Sequence, residues 1–209
     1  MNDFLQEAFN YYYVSHQVWG KVNGQIKNDS RNQLQLVTNG TRPMDAAGRA
    51  ATWLHEHDKR LTQLNIVAHG GPGSFTLGVD ITKDNVAPLG GWLASFFDGG
   101  IGTGIQILGC QCAADSVQTI NGANIGQVHP ADRGLSRRGY LLLLELANAS
   151  RQKVEAGLNE QSIDPLGLKS MCRRVFPGGN QSFFNGKGIS NPTKQQIDEA
   201  IKARERERG

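Results

Sequence analysis

Leu64-Asn65-Ile66-Val67-Ala68-His69-Gly70 and Ile105-Gln106-Ile107-Leu108-Gly109-Cys110 decide how this chain is read. Each is a short apolar run of strand length that stops on a side chain able to do nucleophilic or proton-transfer chemistry. If both strands belong to one parallel sheet, their carboxyl ends open on the same edge. Open α/β sheets place their sites in the crevice beyond that edge, so an imidazole and a thiol are expected to meet there.

Between the two strands, Gly70-Gly71-Pro72-Gly73-Ser74 followed by Phe75-Thr76-Leu77-Gly78 predicts a short hairpin or lip, with glycines that let backbone amides approach a bound group closely. Asn85 is the expected cap of a helix with Pro88 in its first turn and Val86, Leu89, Leu93, Phe96 and Phe97 on its buried side. Gly90 and Gly91 weaken that helix. Strand, helix and strand then form a right-handed crossover. Upstream, residues 34–37 read as a strand turned by Asn39-Gly40, and Asp45 as the cap of a helix whose apolar side is Ala46, Ala50, Trp53, Leu54 and His57, with His55 solvated. Downstream, a polar stretch through Arg138 crosses the rim of the site. It carries His129, read as a surface-loop histidine with a second imidazole of the site as the alternative. Residues 140–149 read as a helix capped by Ser136, residues 153–158 and 173–176 as short strands, and Pro177-Gly178-Gly179 as the close of the core.

Composition bounds the rest. With 209 residues, 38% of them hydrophobic and 20% charged, the chain is expected to form one α/β domain with accessory ends. Residues 1–30 read as an N-terminal arm packing Phe4, Phe9, Tyr11, Tyr12, Tyr13, His16 and Trp19 on the body, residues 31–180 as the catalytic domain, and residues 181–209 as a polar C-terminal tail. A formal charge of +3 with no basic block gives no phosphate-tracking surface, so nucleic acid is not expected. The acidic N-terminus lacks a signal-peptide core, and the longest apolar run, residues 140–144, is too short to cross a bilayer. A cytoplasmic protein, or one exported without such a signal, is expected. Cys110, Cys112 and Cys172 fit neither a disulfide framework nor a zinc spacing, and neither metal nor cofactor is expected.

His69-Gly70-Gly71-Pro72-Gly73 resembles the oxyanion-hole motif of proline aminopeptidases of the α/β-hydrolase fold. Those enzymes also need a G-x-S-x-G nucleophile elbow, which this sequence does not contain. A strand ending in His-Gly, a helix, and a strand ending in a small residue and Cys resembles instead the clan of cysteine peptidases that includes caspases, legumains and gingipains. The likeness is nearest to a caspase-like group of large bacterial surface proteins, and Lys153-Val154-Glu155-Ala156-Gly157 and Arg173-Arg174-Val175-Phe176-Pro177 are similar to that group's later strands.

The resemblance implies a three-layer α-β-α sandwich with a mostly parallel sheet, caspase-hemoglobinase-like, and a cysteine endopeptidase acting on proteins or peptides. It implies Cys110 as nucleophile, His69 as proton donor and base, and the backbone amides of Gly70 and Cys110 as oxyanion donors. Sheet edges in this clan can pair into dimers, and many members need an activating cleavage or partner. Gln111 and the second thiol, Cys112, depart from the usual pattern. Asp115, Glu155, Glu160 and Asp164 would receive a basic substrate side chain, whereas Arg133, Arg137, Arg138, Arg173 or Arg174 would favour an acidic one; both sets stay open. The rival readings are a non-catalytic caspase-like binding module and a thiol hydrolase or transferase acting on a small acyl or amide substrate.

Overall fold

The structure is a computed structural model that describes residues 9–99, 103–115, 137–158, 167–168 and 171–186. His129, Arg133, Ser136, Glu160, Asp164, Phe4 and the charged stretch from residue 193 onward lie outside the described residues.

Tyr11, Tyr12 and Tyr13 belong to an inner strand. Strand β1 (Asn10–Ser15) is flanked by β2 (Asn32–Val37) and β3 (Gln63–Val67) and is parallel to both. Aromatic residues suit a pleated, packed surface. Here both faces are covered: Tyr11 and Tyr13 enter one core cluster, Tyr12 and Val14 the other. The reading of residues 1–30 as an arm is therefore corrected from Asn10 onward, because these residues complete the sheet.

The chain continues through a small antiparallel sheet of β4 (His69–Gly71), β5 (Ser74–Leu77) and β6 (Val79–Ile81), which is the expected lip with one more strand. It then returns to the main sheet as β7 (Gly104–Leu108), β8 (Val154–Gly157), β9 (Met171–Val175) and β10 (Gln181–Asn185). The seven strands are ordered β10-β9-β8-β7-β3-β1-β2. Neighbours from β2 to β8 are parallel, while β9 runs antiparallel to both β8 and β10. Pro177-Gly178-Gly179 does not close the core. It turns the chain between β9 and β10, with Gly178 and Gly179 at φ of +82° and +95°, in the left-handed region that glycine tolerates. The tail drawn from residue 181 thus begins with an edge strand.

Helices α2 (Pro43–Glu56), α3 (Ala87–Gly91) and α4 (Arg138–Ser150) pack on one face, where Ala50, Leu54, Leu89, Leu142 and Leu146 meet Ile66, Ile107 and Ala156. On the other face α1 (Trp19–Asn23) and its flanks bring Val18, Val22 and Ile26, with Leu168, against Tyr12, Val14, Val67 and Leu108. The result is a mixed α/β architecture around a mostly parallel sheet, compatible with a three-layer sandwich.

Local details depart from expectation for physical reasons. Pro43 opens α2 after Arg42, and Asp45 is spent on a two-point pair with Arg42, at 2.9 and 3.0 Å, instead of a cap. His57 is exposed at the end of that helix and stacks on Trp53 with ring centroids 4.2 Å apart. Helix α3 stops at Gly91, before a 3-10 turn at Ala94–Phe96. Gly90 is required where α3 approaches α4, since a methyl there would lie 2.8 Å from both Leu146 Cδ1 and Ser150 Cβ. No described helix is long and apolar enough to cross a membrane.

Candidate active site

Strands β3 and β7 are parallel neighbours in which Val67 is level with Leu108. His69 lies two residues past the end of β3 and Cys110 two residues past the end of β7, on the same edge of the sheet. Their sequence interval, 69 to 110, is the register offset itself, 67 to 108. His69 is exposed and Cys110 half-buried, and both stand at the carboxyl edge where the sequence placed a site.

Four glycines bring the surrounding loops into contact. A methyl on Gly109 would lie 2.8 Å from the Ala68 carbonyl oxygen and 2.9 Å from Cys112 Sγ. One on Gly70 would lie 2.7 Å from the Cys110 carbonyl oxygen and would run into Cys112 Sγ. The backbone after His69 is thereby seated on the backbone after Cys110. Gly139, in the first turn of α4, is pressed against Ala113 and Ala114 and has no room for a side chain. Gly73, at φ +67°, rests on Arg138. The lip, the cysteine loop and the start of α4 form one packed unit.

The two thiols of this loop have different fates. Cys112 is fully buried, and its Sγ lies 3.4 Å from the Cys110 carbonyl oxygen, to which it donates. Burial, reinforced by the nearby Cys110, pushes the Cys112 thiol well above its ordinary pKa. The thiolate is the nucleophilic form, so Cys112 is chemically quiet in this fold. Between them Gln111 is buried at φ +52°, in the left-handed region, and its carbonyl accepts the Ala114 amide at 2.8 Å. The Ala113 amide then bonds the Gly157 carbonyl at 3.0 Å, which ties the loop to the end of β8.

Asp115 and Glu155, the two carboxylates expected in a substrate pocket, are both engaged inside the protein. Arg173 holds Asp115 at 2.8 and 2.9 Å, and Asp115 Oδ1 also accepts the Tyr140 amide at 3.0 Å. Glu155 takes Arg174 Nε at 2.6 Å and Gln106 Nε2 at 2.9 Å, with Lys153 Nζ at 3.5 Å. Alternation along β9 sends Arg173 and Arg174 to opposite faces of the sheet, so the two acids do not share a pocket. Arg173 and Arg174 are consumed in these pairs. Arg137 precedes α4 with its guanidinium 5.7 Å from the Tyr140 ring centroid.

The structure adds a residue that sequence reasoning assigned to packing. In β1 Val14 is level with Val67, and His16, the residue after β1, follows Val14 by two positions as His69 follows Val67. Three adjacent strand ends therefore match in kind as well as in position: Val14-Ser15-His16, Val67-Ala68-His69 and Leu108-Gly109-Cys110. His16 Nδ1 is buried and has no hydrogen-bond partner, and the same holds for Ser15 Oγ and Tyr13 Oη. The signal was present in the sequence as a second apolar run ending in a small residue and histidine. Among the described residues, no group of three or more His, Cys, Asp or Glu side chains is placed to hold a metal ion.

No protein-family model matches the chain, and no curated protein or solved structure matches it either.

Proposed function

We propose that the protein is a cysteine endopeptidase of the caspase-like type, working through Cys110 and His69 and an acyl-enzyme. The observation that carries this reading is the pair of adjacent parallel strand ends, Val67 level with Leu108, from which His69 and Cys110 follow, with Gly70 seated on the Cys110 backbone. The mostly parallel sheet between helical layers agrees with the architecture that the resemblance implies, and the burial of Cys112 leaves Cys110 as the better nucleophile of the pair.

The Cys110 thiolate attacks the carbonyl carbon of the scissile peptide bond, and the electron pair of that carbonyl moves onto its oxygen. The amides of Gly70 and Cys110 hold the oxyanion, each such donor being worth about 2.7–4 kcal/mol where one has been removed from an enzyme. As the tetrahedral species collapses, the C–N bond breaks and His69 gives its proton to the departing amine. Water then attacks the thioester, His69 takes the proton, and the acid leaves as Cys110 is regenerated.

The test is digestion of a mixed peptide pool, with the new termini read by mass spectrometry, for wild type, Cys110→Ala and His69→Ala. Cleavage by wild type that falls about a hundredfold or more in both variants is expected. No cleavage by wild type, or cleavage undiminished in Cys110→Ala, overturns the reading.

A further inference from the structure

We propose that His16 is a third side chain of this site and binds the leaving-group side of the substrate, the first residues on the carboxyl side of the scissile bond. The proposal rests on the cysteine-peptidase reading and extends it to substrate length. Strands β1, β3 and β7 are consecutive in the sheet, at about 4.8 Å per strand, and His16, His69 and Cys110 lie one or two residues past their carboxyl ends, with the strand that leads to His69 in the middle. The ladder with β2 runs on through His16, whose amide bonds the Val37 carbonyl at 3.1 Å, which fixes His16 at the carboxyl edge of β1.

The order of the strands gives the direction of the substrate. The acyl carbon is bonded at Cys110, the nitrogen released from it takes its proton at His69, and the chain attached to that nitrogen continues toward β1. One strand spacing corresponds to between one and two residues of extended peptide at about 3.3 Å each. His16 is what that segment meets.

Its chemistry suits the task. The residues past these strand ends, Thr38, His16, His69 and Cys110, include no carboxylate, so a cation finds no counter-charge there, whereas peptide carbonyls and amides find an imidazole that both donates and accepts. Buried polar atoms in folded proteins are nearly always satisfied. Here the His16 ring is only partly buried, and its Nδ1 is left without a protein partner at the edge where a peptide would pass. The ligand class is thus an extended peptide with at least two residues beyond the cleaved bond, held by its backbone polar groups.

The test compares kcat/KM on peptides carrying three residues after the bond with the matched aminomethylcoumarin amides, which carry none, for wild type, His16→Ala and His16→Gln. The loss in His16→Ala should be about tenfold greater on the extended peptide than on the coumarin amide, with part of it restored by His16→Gln. Equal proportional losses on the two substrates, or none on the extended peptide, overturn the role of His16. Wild type supplies a second readout that needs no variant: lengthening the leaving group from one residue to three should raise kcat/KM, and no gain contradicts the proposal. Turnover of neither substrate by wild type would instead overturn the peptidase reading, and this inference with it.

Discussion

Arg173 holds Asp115 by two charge-assisted hydrogen bonds, of 2.8 and 2.9 Å, and both side chains are buried. Because the same carboxylate accepts the Tyr140 amide in the first turn of α4, one acid joins the cysteine loop, β9 and α4. Removing one member of a buried pair leaves an uncompensated charge and costs about 3–5 kcal/mol. Asp115→Ala should lower stability by that amount in urea unfolding, and combining it with Arg173→Met should recover part of the loss. An Asp115→Ala variant as stable as wild type would show that the pair is not closed in solution.

Gly70 has no room for a methyl between the Cys110 carbonyl and Cys112 Sγ. Overpacking of this kind costs about 1–3 kcal/mol and here also displaces the nucleophile. Gly70→Ala should therefore lose stability and slow alkylation at Cys110, and Cys112→Ala in the same chain should restore part of both. Unchanged alkylation in Gly70→Ala would contradict the seating of the two loops.

The three cysteines should separate cleanly in a native thiol map. Cys110 is half-buried, whereas Cys112 and Cys172 are fully buried and the Cys112 thiol is held protonated by burial. Brief treatment with N-ethylmaleimide near pH 8, followed by peptide mapping, should mark Cys110 and spare the other two until urea is added. Cys112 reacting as fast as Cys110 would refute this assignment of thiols.

Alkaline pH should destabilise the fold through β1. Burial raises the phenol pKa of Tyr13 well above 10, and burial likewise raises those of Tyr11 and Tyr12. The unfolded chain releases these protons near pH 10 while the native state keeps them, so above that pH the unfolded state binds fewer protons and is favoured. Adding to a fall that the buried Cys112 thiol starts near pH 9, the tyrosines should make stability fall as pH rises beyond 10. Tyr13→Phe should flatten that fall, and a fall as steep in Tyr13→Phe as in wild type would contradict the burial of this ring.

The strands that carry His69 and Cys110 were legible because each is an apolar run bounded by glycine or a polar residue, and period and length suffice for such runs. Strand β1 was not, because three tyrosines buried on both faces show no alternation and read as a surface aromatic patch; with β1 missed, His16 lost its strand end. Strand β10 was hidden behind Pro177-Gly178-Gly179, a sequence that suits a chain reversal as well as a boundary. Asp115 and Glu155 looked available because a sequence shows charge without partners, and Arg173 and Arg174 meet them only through pairing of β8 with β9. The helix begun near Asn85 was drawn too long because Gly90 serves close packing against α4, a demand of tertiary structure that local pattern does not carry.

The central claim is that His69 and Cys110, each two residues past the end of adjacent parallel strands, act together on an acyl group. The most direct measurement is covalent capture by acyloxymethyl ketone peptides bearing Arg, Lys, Asp, Leu or Gln at the reactive end, read by intact mass and peptide mapping in wild type, Cys110→Ala and His69→Ala. One adduct per chain on Cys110, absent from both variants, is the predicted result. An adduct on Cys112, or no adduct while a simple alkylating agent modifies Cys110 equally well with and without His69, would contradict the claim.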